Sequence, residues 1–484
     1  MSCLRRYIII PFCAAIVFAL LASCASYNKQ ASAYYVQLRQ GNYEKAARSL
    51  DHIKVLKKDR NRLLYLLEMG KVLHLQGLWD SSNTYLNEAD LLMEDAKTSV
   101  KDIALGNLLN PMMQTYKAED FEKYLVHYYK ALNYLQLGEA NEALVEARRI
   151  SLRTYAQEDK TGSRNKYSED AFSYMLQGLI YEKANDINNA FIAYRNAADV
   201  YLNNKGSYYG TAMPGQLKKD LLRSAYQNGF TDELRRYEKL LQVSYSAAPR
   251  PEGGELILFW ENGAAPVKEQ QDLWFSLFKD AGGQFFFTDA AGLYNVPFDF
   301  SSGYDRNNIR LQDLRSFRVA LPRYQEQLPA YSTASVQVNG TAFRLEAAEN
   351  VNTLAFSTLR ERMLKELSGT LTRLAVKKLA EAAVRPSGKK EDDSKKTEEE
   401  RKKEKKQENT REAIALGLQL FNFASEKADT RNWQSLPHTI FYTRIPLIKG
   451  TNKINLQLEG QQRKTIALTI EGNGTLQFRN ESTF

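Results

Sequence analysis

Three cysteines (Cys3, Cys13 and Cys24) and four histidines (His52, His74, His127 and His438) are all the thiols and imidazoles that this 484-residue chain carries. Metal binding and nucleophilic catalysis draw heavily on these residue types at ordered spacings. Here they are scattered, and no pair of histidines stands at a metal-ligand spacing. The sequence has no Gly-x-Ser-x-Gly, no His-Glu-x-x-His, no Walker-type phosphate loop and no dinucleotide-binding glycine fingerprint. Gly263-Ala-Ala-Pro-Val-Lys268 lacks the Gly-Lys-Ser/Thr ending of a phosphate loop and reads as a turn at a strand end. Gly472-Asn-Gly474 reads as a hairpin. Asp and Glu number 57, but no spacing singles out a pair for acid/base work. The expectation is therefore a chain that is not an enzyme, with no catalytic or metal-ligating residue and no cofactor.

The residue with a foreseeable chemical fate is Cys24. Arg5 and Arg6 precede an uncharged apolar run from Tyr7 to Leu21, which ends in Leu21-Ala22-Ser23-Cys24. A basic start, an apolar middle and small residues at the cut describe a secretory signal over residues 1–23. A membrane-spanning anchor would need about 20 apolar residues, and this run is shorter. Leu-Ala-Ser-Cys resembles the lipobox of bacterial lipoproteins. That resemblance implies cleavage before Cys24 and acylation of its thiol by palmitate-like chains. It also implies outer-membrane sorting, since Ala25 and not Asp follows the cysteine. Residues 24–30 form a short tether with no acidic run, which points to a periplasm-facing orientation. Several acyl chains on one residue make a stable attachment.

The elements around this anchor are those of a globular protein. Apolar residues make up 43% of the chain, enough for sizeable cores, and the length suggests roughly three domains. The formal charge of +9 loses only Arg5 and Arg6 on processing. An exported protein rarely meets nucleic acid, so no nucleic-acid partner is expected, and anionic headgroups or wall polymers are the acidic neighbours.

Residues 31–245 read as a helical array of internally similar units. With Ala46, Ser82, Ala143 and Ala190 aligned, Tyr34, Gly70, Ala131 and Gly178 stand twelve residues earlier. Gly41, Gly77, Gly138 and Asn185 stand five earlier, and Leu50, Leu86, Ala147 and Tyr194 four later. Small residues let antiparallel helices approach, and Gly or Asn suits the left-handed backbone that closes a helix. Gly41-Asn-Tyr-Glu-Lys-Ala46 nearly spells the turn of the tetratricopeptide repeat. A regular array repeats about every 34 residues; here the turn column is spaced 36, 61 and 47. The surplus predicts an extra helix within 91–119 and a polar loop at 151–168, and a partial fifth unit surrounds Gly229. Tyr124, Tyr128, Tyr129, Tyr134, Tyr174 and Tyr181 are read as packing between helices in preference to lining a peptide groove.

Near residue 246 the period changes. Pro249, Pro251, Gly253 and Gly254 mark the boundary. Strands are predicted at 255–260, 284–288, 317–321, 332–338 and 341–348, the last two around the hairpin signal Asn339-Gly340. More follow at 439–447, 453–458, 465–471 and 476–479. Two helices, 353–384 and 411–428, interrupt them, joined by a charged low-complexity linker at 385–410. The expected fold class is multidomain α+β: a tetratricopeptide-like solenoid, then a small antiparallel β-sandwich-like domain split into 246–352 and 429–484 around an inserted helical pair. Within the second part, Asp429 and Arg431 are expected to tie the second inserted helix to the sheet, with Trp433 as a plug between layers.

Several stretches together resemble a little-characterised family of bacterial tetratricopeptide-repeat outer-membrane lipoproteins. They are Glu119-Asp-Phe-Glu122, His127-Tyr-Tyr-Lys-Ala-Leu-Asn133, Ala143-Leu-Val-Glu-Ala-Arg-Arg149, Glu261-Asn-Gly-Ala-Ala-Pro-Val-Lys268, Val319-Ala-Leu-Pro322 and, above all, Ala428-Asp-Thr-Arg-Asn-Trp-Gln-Ser-Leu-Pro437. Members tend to be encoded beside lipoproteins that resemble penicillin-binding-protein activators and a curli-type secretion pore. The resemblance implies a non-catalytic scaffold that binds envelope proteins through its helical half. A glycan-binding nutrient-uptake lipoprotein is the alternative, disfavoured because only four Trp residues are available to stack on sugars.

Overall fold

A computed structural model of the chain describes residues 27–94, 111–161, 170–282, 284–292, 294–298, 317–384, 398–399 and 426–484. The signal, Cys24, the charged linker apart from 398–399 and all but the last residues of the second inserted helix lie outside them; Glu426, Lys427 and Ala428 are not helical.

The first half consists of paired antiparallel helices: α1 (Tyr27–Arg39) with α2 (Tyr43–Asp51), α3 (Arg62–Leu75) with α4 (Trp79–Glu94), α5 (Asp120–Leu137) with α6 (Ala140–Thr161), α7 (Ala171–Lys183) with α8 (Ile187–Asn203), and α9 (Gly215–Gln227) with α10 (Thr231–Leu241). The turn column has the backbone it was chosen for: Gly41, Gly77, Gly138, Asn185 and Gly229 all have positive φ, between 60° and 82°. The small-residue column has a steric cause. A Cβ on Gly70 would lie 2.6 Å from Leu86 Cδ2, and one on Gly178 would lie 2.4 Å from Tyr194 Cε1. The polar loop expected at 151–168 is in part helix, because α6 runs on to Thr161. Between α8 and α9 a short hairpin pairs β1 (Ser207–Tyr208) with β2 (Thr211–Ala212).

Three four-stranded sheets follow. The central sheet has the order β10 (Glu346–Asn350), β11 (Thr439–Pro446), β3 (Gly254–Asn262), β14 (Thr475–Thr483). The outer sheet is β13 (Arg463–Gly472), β12 (Gly450–Gly460), β8 (Tyr331–Val338), β9 (Thr341–Arg344). The side sheet is β6 (Asn295–Phe298), β5 (Phe285–Asp289), β4 (Val267–Lys279), β7 (Phe317–Gln325). Asn339 and Gly340 both have positive φ and close the β8–β9 hairpin, as their sequence predicts.

The structure corrects the sandwich in three ways. Strand β14 runs parallel to β3, so the central sheet is mixed. The two are the last and first strands of this half, and no tight turn between them imposes antiparallel pairing. The single strand expected at 341–348 is two, because the chain leaves the outer sheet at β9 and enters the central sheet at β10; Leu345 between them is buried. Strands β4 and β6 were not anticipated.

The central sheet is covered on both faces. Leu256, Leu258, Trp260 and Ile445 pack against Val336, Ile454, Leu456 and Leu458 of the outer sheet. Ile257, Phe259, Ile440 and Tyr442 belong to the same apolar core as the helices. Burial on both faces explains why β3 reads as the unbroken run Leu-Ile-Leu-Phe-Trp. The side sheet lays Phe275, Phe287, Val319 and Leu321 on Leu367, Leu371 and Leu374 of α11 (Val351–Val384). No helix among the described residues is long and apolar enough to cross a membrane.

Candidate functional site

The first helix of each pair presents polar and aromatic side chains to the second half of the chain, and most of the buried charge gathers at this seam. An extended segment, Ala428 to His438, runs along it. Glu68 on α3 accepts hydrogen bonds from Tyr34 (2.9 Å), Tyr35 (2.7 Å) and the Gln434 amide (3.0 Å). Glu122 on α5 accepts them from Tyr116 (2.7 Å) and the Trp433 amide (2.9 Å). Burial pushes the Glu68 carboxyl up to about 7, even with these donors opposing it. Burial, then the neighbouring Glu119 carboxylate, raises that of Glu122.

Arg431 donates to Asp429, to Asn61 Oδ1 (2.7 Å) and to the Gln114 carbonyl (3.0 Å). Its guanidinium therefore ties the segment to the helical half and not to the sheet as expected. Trp433 is fully buried, with its ring 5.8 Å from that of Tyr129 and its Nε1 donating to Ser435 Oγ (2.9 Å). It plugs the space between helices and sheet. Asn432 accepts from the Lys268 amide (3.2 Å) and donates to the Pro266 carbonyl (2.9 Å), which joins the same segment to the start of β4.

Three ion clusters complete the seam. Lys71 on α3 pairs with Glu261 on β3, and its ammonium lies 4.1 Å from the centre of the Tyr129 ring. Burial works against the Glu261 carboxylate, but Lys71, with His74 and the Ser482 hydroxyl adding to it, holds Glu261 below the ordinary value. Arg444 on β11 meets Glu182 (2.7 Å), Asp220 (3.1 Å) and Glu255 (2.8 Å), and Arg223 joins them. Against its burial, Arg444 and Arg223 hold Glu182 down at about 2. Glu119 pairs with Lys268 (2.8 Å) and Arg362 (2.6 Å), which link α5, β4 and α11.

Within the helical half, Asp90, His127 and Glu146 bring three potential ligand atoms within 4.8 Å of one another, all buried. They come from α4, α5 and α6, so no spacing in the sequence announces them. Lys130 lies 3.0 Å from Asp90 and 2.9 Å from Glu146, and Arg149 lies 3.0 Å from Asp90. These cations already neutralise the carboxylates, so the group is an internal ion cluster.

Tyr124, Tyr128, Tyr129 and Tyr174 are buried, while Tyr134 and Tyr181 are half-buried against the same core. The packing reading holds for them. Cys24 lies outside the described residues; Tyr27, three residues on, is buried.

A cleft of about 260 Å³ opens where α2, α3, α4 and α5 meet β14, lined among others by Tyr43, His74, Trp79, Gln136, Asn480 and Ser482. His74 Nδ1 lies 2.6 Å from Asn133 Oδ1, and Asn133 Nδ2 donates to Ser82 and Asn83. Asn133 Oδ1 is therefore an acceptor and His74 Nδ1 the protonated nitrogen. His74 Nε2 in turn accepts from Asn480 Nδ2 (3.0 Å). Burial, and then the Lys71 charge, hold His74 neutral with its value down at about 4.

No known family profile matches the sequence, and no curated protein matches it. Among solved structures the chain is similar to a crystal structure of MamA, at 18% identity over 43% of this chain and 92% of MamA, with a TM-score of 0.27. It is also similar to MamA 41-end from Desulfovibrio magneticus RS-1, at 16% identity over 45% and 97%, TM-score 0.29. For the apo form of RapI the figures are 11%, 47% and 56%, with a TM-score of 0.32. TM-scores this low carry no inference about fold or activity.

Proposed function

We propose that this chain is a non-catalytic scaffold: an outer-membrane lipoprotein, acylated at Cys24 and facing the periplasm, that binds partner proteins in envelope biogenesis or secretion through its helical half. The observation that supports this reading most is the division of labour between the two rows of helices. The first helices are covered by the chain's own sheet and by the Arg431–Ser435 segment, with their charges paired there. Of the open large apolar side chains on the described helices of this half, the second helices carry most: Leu91 (61% exposed) and Leu92 on α4, Val145 (41%) on α6 and Leu240 on α10, while α1 and α9 leave one each, Val36 and Tyr226. A partner then docks on this outer row and not in the inner groove of the array. Three residues span at most about 11 Å, so an acyl anchor on Cys24 holds the buried Tyr27, and the body around it, close to the bilayer.

The test is an affinity capture of the lipidated full-length protein from crosslinked envelopes, read by mass spectrometry, beside a Leu91→Ser/Val145→Ser variant. Surface changes of this kind alter stability by about 0.5 kcal/mol or less. A defined set of envelope proteins, lost with the variant, supports the scaffold. The same set retained by the variant removes the outer row from the reading. Capture of a nutrient transporter alone, or of glycan, favours uptake.

A further inference from the structure

The outer sheet ends on two strands of unequal kind. At one margin β9 is four residues long. At the other β13 runs for ten, pairs with β12 without a register shift, and meets no further strand among the described residues. An open strand margin is a template for another chain, and proteins blunt it with shortness, proline, a bulge or a charge in its middle. The centre of β13 has none of these. Thr465-Ile-Ala-Leu-Thr-Ile470 is uncharged and lacks proline, and Thr465, Ala467 and Thr469 are exposed.

The core behind this margin is unfinished. On β12 the inward side chains Ile454, Leu456 and Leu458 are fully buried. Ile466, Leu468 and Ile470 of β13 face the same core and are only partly buried.

The charges at the two ends of β13 indicate what completes it. Arg463 and Lys464 stand at its start and Glu471 at its end. Two copies of the strand laid antiparallel about Ala467 set Arg463 of each opposite Glu471 of the other, and Thr465 opposite Thr469. Opposite charges and Thr–Thr pairs facing one another stabilise a sheet. Arg463 also lies opposite Glu459 of β12 in its own sheet, so each guanidinium would sit between two carboxylates. On the inward side Ile466 meets Leu468 of the second copy, and the Lys464 stem covers Ile470. Parallel pairing in register would instead set Arg463 on Arg463 and Glu471 on Glu471, which is destabilising.

We propose that β13 pairs with β13 of a second copy of this chain, antiparallel about Ala467, and joins two four-stranded outer sheets into one. Such a two-fold contact uses up the edge of both copies and stops at a dimer. A single strand pair is small beside the about 1,000 Å² of a stable interface, so the dimer is reversible. It does not depend on what the helices bind.

Sedimentation equilibrium of the full chain in mild detergent, with Cys3, Cys13 and Cys24 replaced by Ser, tests it. A dimer with a Kd of about 100 µM or tighter is expected. Glu471→Arg, which sets Arg against Arg463, should weaken it at least about tenfold. Arg463→Glu/Glu471→Arg, which restores the pairing with signs exchanged, should recover most of it. On mild oxidation Ala467→Cys should link two chains, because directly opposed Cα atoms lie about 4.5–5.5 Å apart, within disulfide reach. Thr465→Cys should not, because its two copies stand four residues, about 13 Å, out of register. Melting curves show whether the variants fold; if the charge variants do not, the cysteine pair decides. A dimer untouched by Glu471→Arg, or linkage by Thr465→Cys in preference to Ala467→Cys, overturns the proposal. A chain still monomeric at about 200 µM overturns it too, and leaves the edge to a strand of another protein.

Discussion

Two buried carboxyl groups, Asp170 at the start of α7 and Glu349 on β10, line one small cavity at the seam. Asp170 accepts the Ser173 amide at 3.0 Å and caps its helix. Burial raises both groups; Asp170 drives Glu349 further up, well above the ordinary glutamate value, while the hydrogen bond with Glu349 pulls Asp170 part of the way back. A folded-state value above the unfolded one means that the folded protein binds the extra proton. The contribution is full below the ordinary value and is lost as pH rises through the folded one. Glu349→Gln keeps the neutral form, so its melting temperature should fall less steeply than that of the wild type between about pH 5 and pH 9; parallel curves would remove this role. Trp433 makes a second prediction at this scale. Its ring is fully enclosed, and Trp433→Ala should cost about 3–5 kcal/mol in a denaturant titration. The Trp433 and Asp429–Arg431 block was visible in the sequence as an unusual string. Its docking partners Asn61, Glu68 and Glu122 were not, because they lie more than 300 residues away.

Helix pairs and strands differ in how openly the sequence declares them. The turn column could be read because its cause is local: Gly41, Gly77, Gly138 and Asn185 each adopt a left-handed backbone. The small-residue column was equally plain, and its steric basis makes a prediction. Gly70→Ala drives a methyl into Leu86 and should destabilise the protein by about 1–3 kcal/mol. Asn185→Gly, which only relieves the backbone, should be neutral or gain up to about 1 kcal/mol. Chemical denaturation of the two variants checks the pair. Strand β4 escaped notice for the opposite reason. Its residues Leu273, Phe275 and Leu277 face α11, yet Trp274 and Phe278 on the other face are also apolar and more than half exposed. The alternation that would announce a strand is thereby erased.

On the scale of the whole molecule, helices and central sheet form one apolar core. A fragment ending at residue 245 would bare Tyr128 and Phe172, which pack on Phe259, and would take Glu261 from Lys71, while Glu182 would lose Arg444 and keep Arg223. Baring apolar surface that the sheet now covers costs about 25 cal/mol per Å². The fragment should therefore aggregate or remain unfolded. The full chain should lose its helical circular dichroism and its tryptophan fluorescence signal in a single coincident transition. Two separated transitions would show that the halves are independent.

The sequence by itself determined the helix pairs with their turns, the change of period near residue 246 and most strands. All of these follow from hydrophobic spacing and backbone preference within a few residues. Only the tertiary structure decided that β14 lies parallel to β3, that the Asp429–Pro437 segment fills the inner face of the helices, and that Asn480, His74 and Trp79 share a cleft. Those arrangements depend on pairing residues hundreds of positions apart, and such pairings are selected by burial and charge compensation across the whole fold, which no local pattern records.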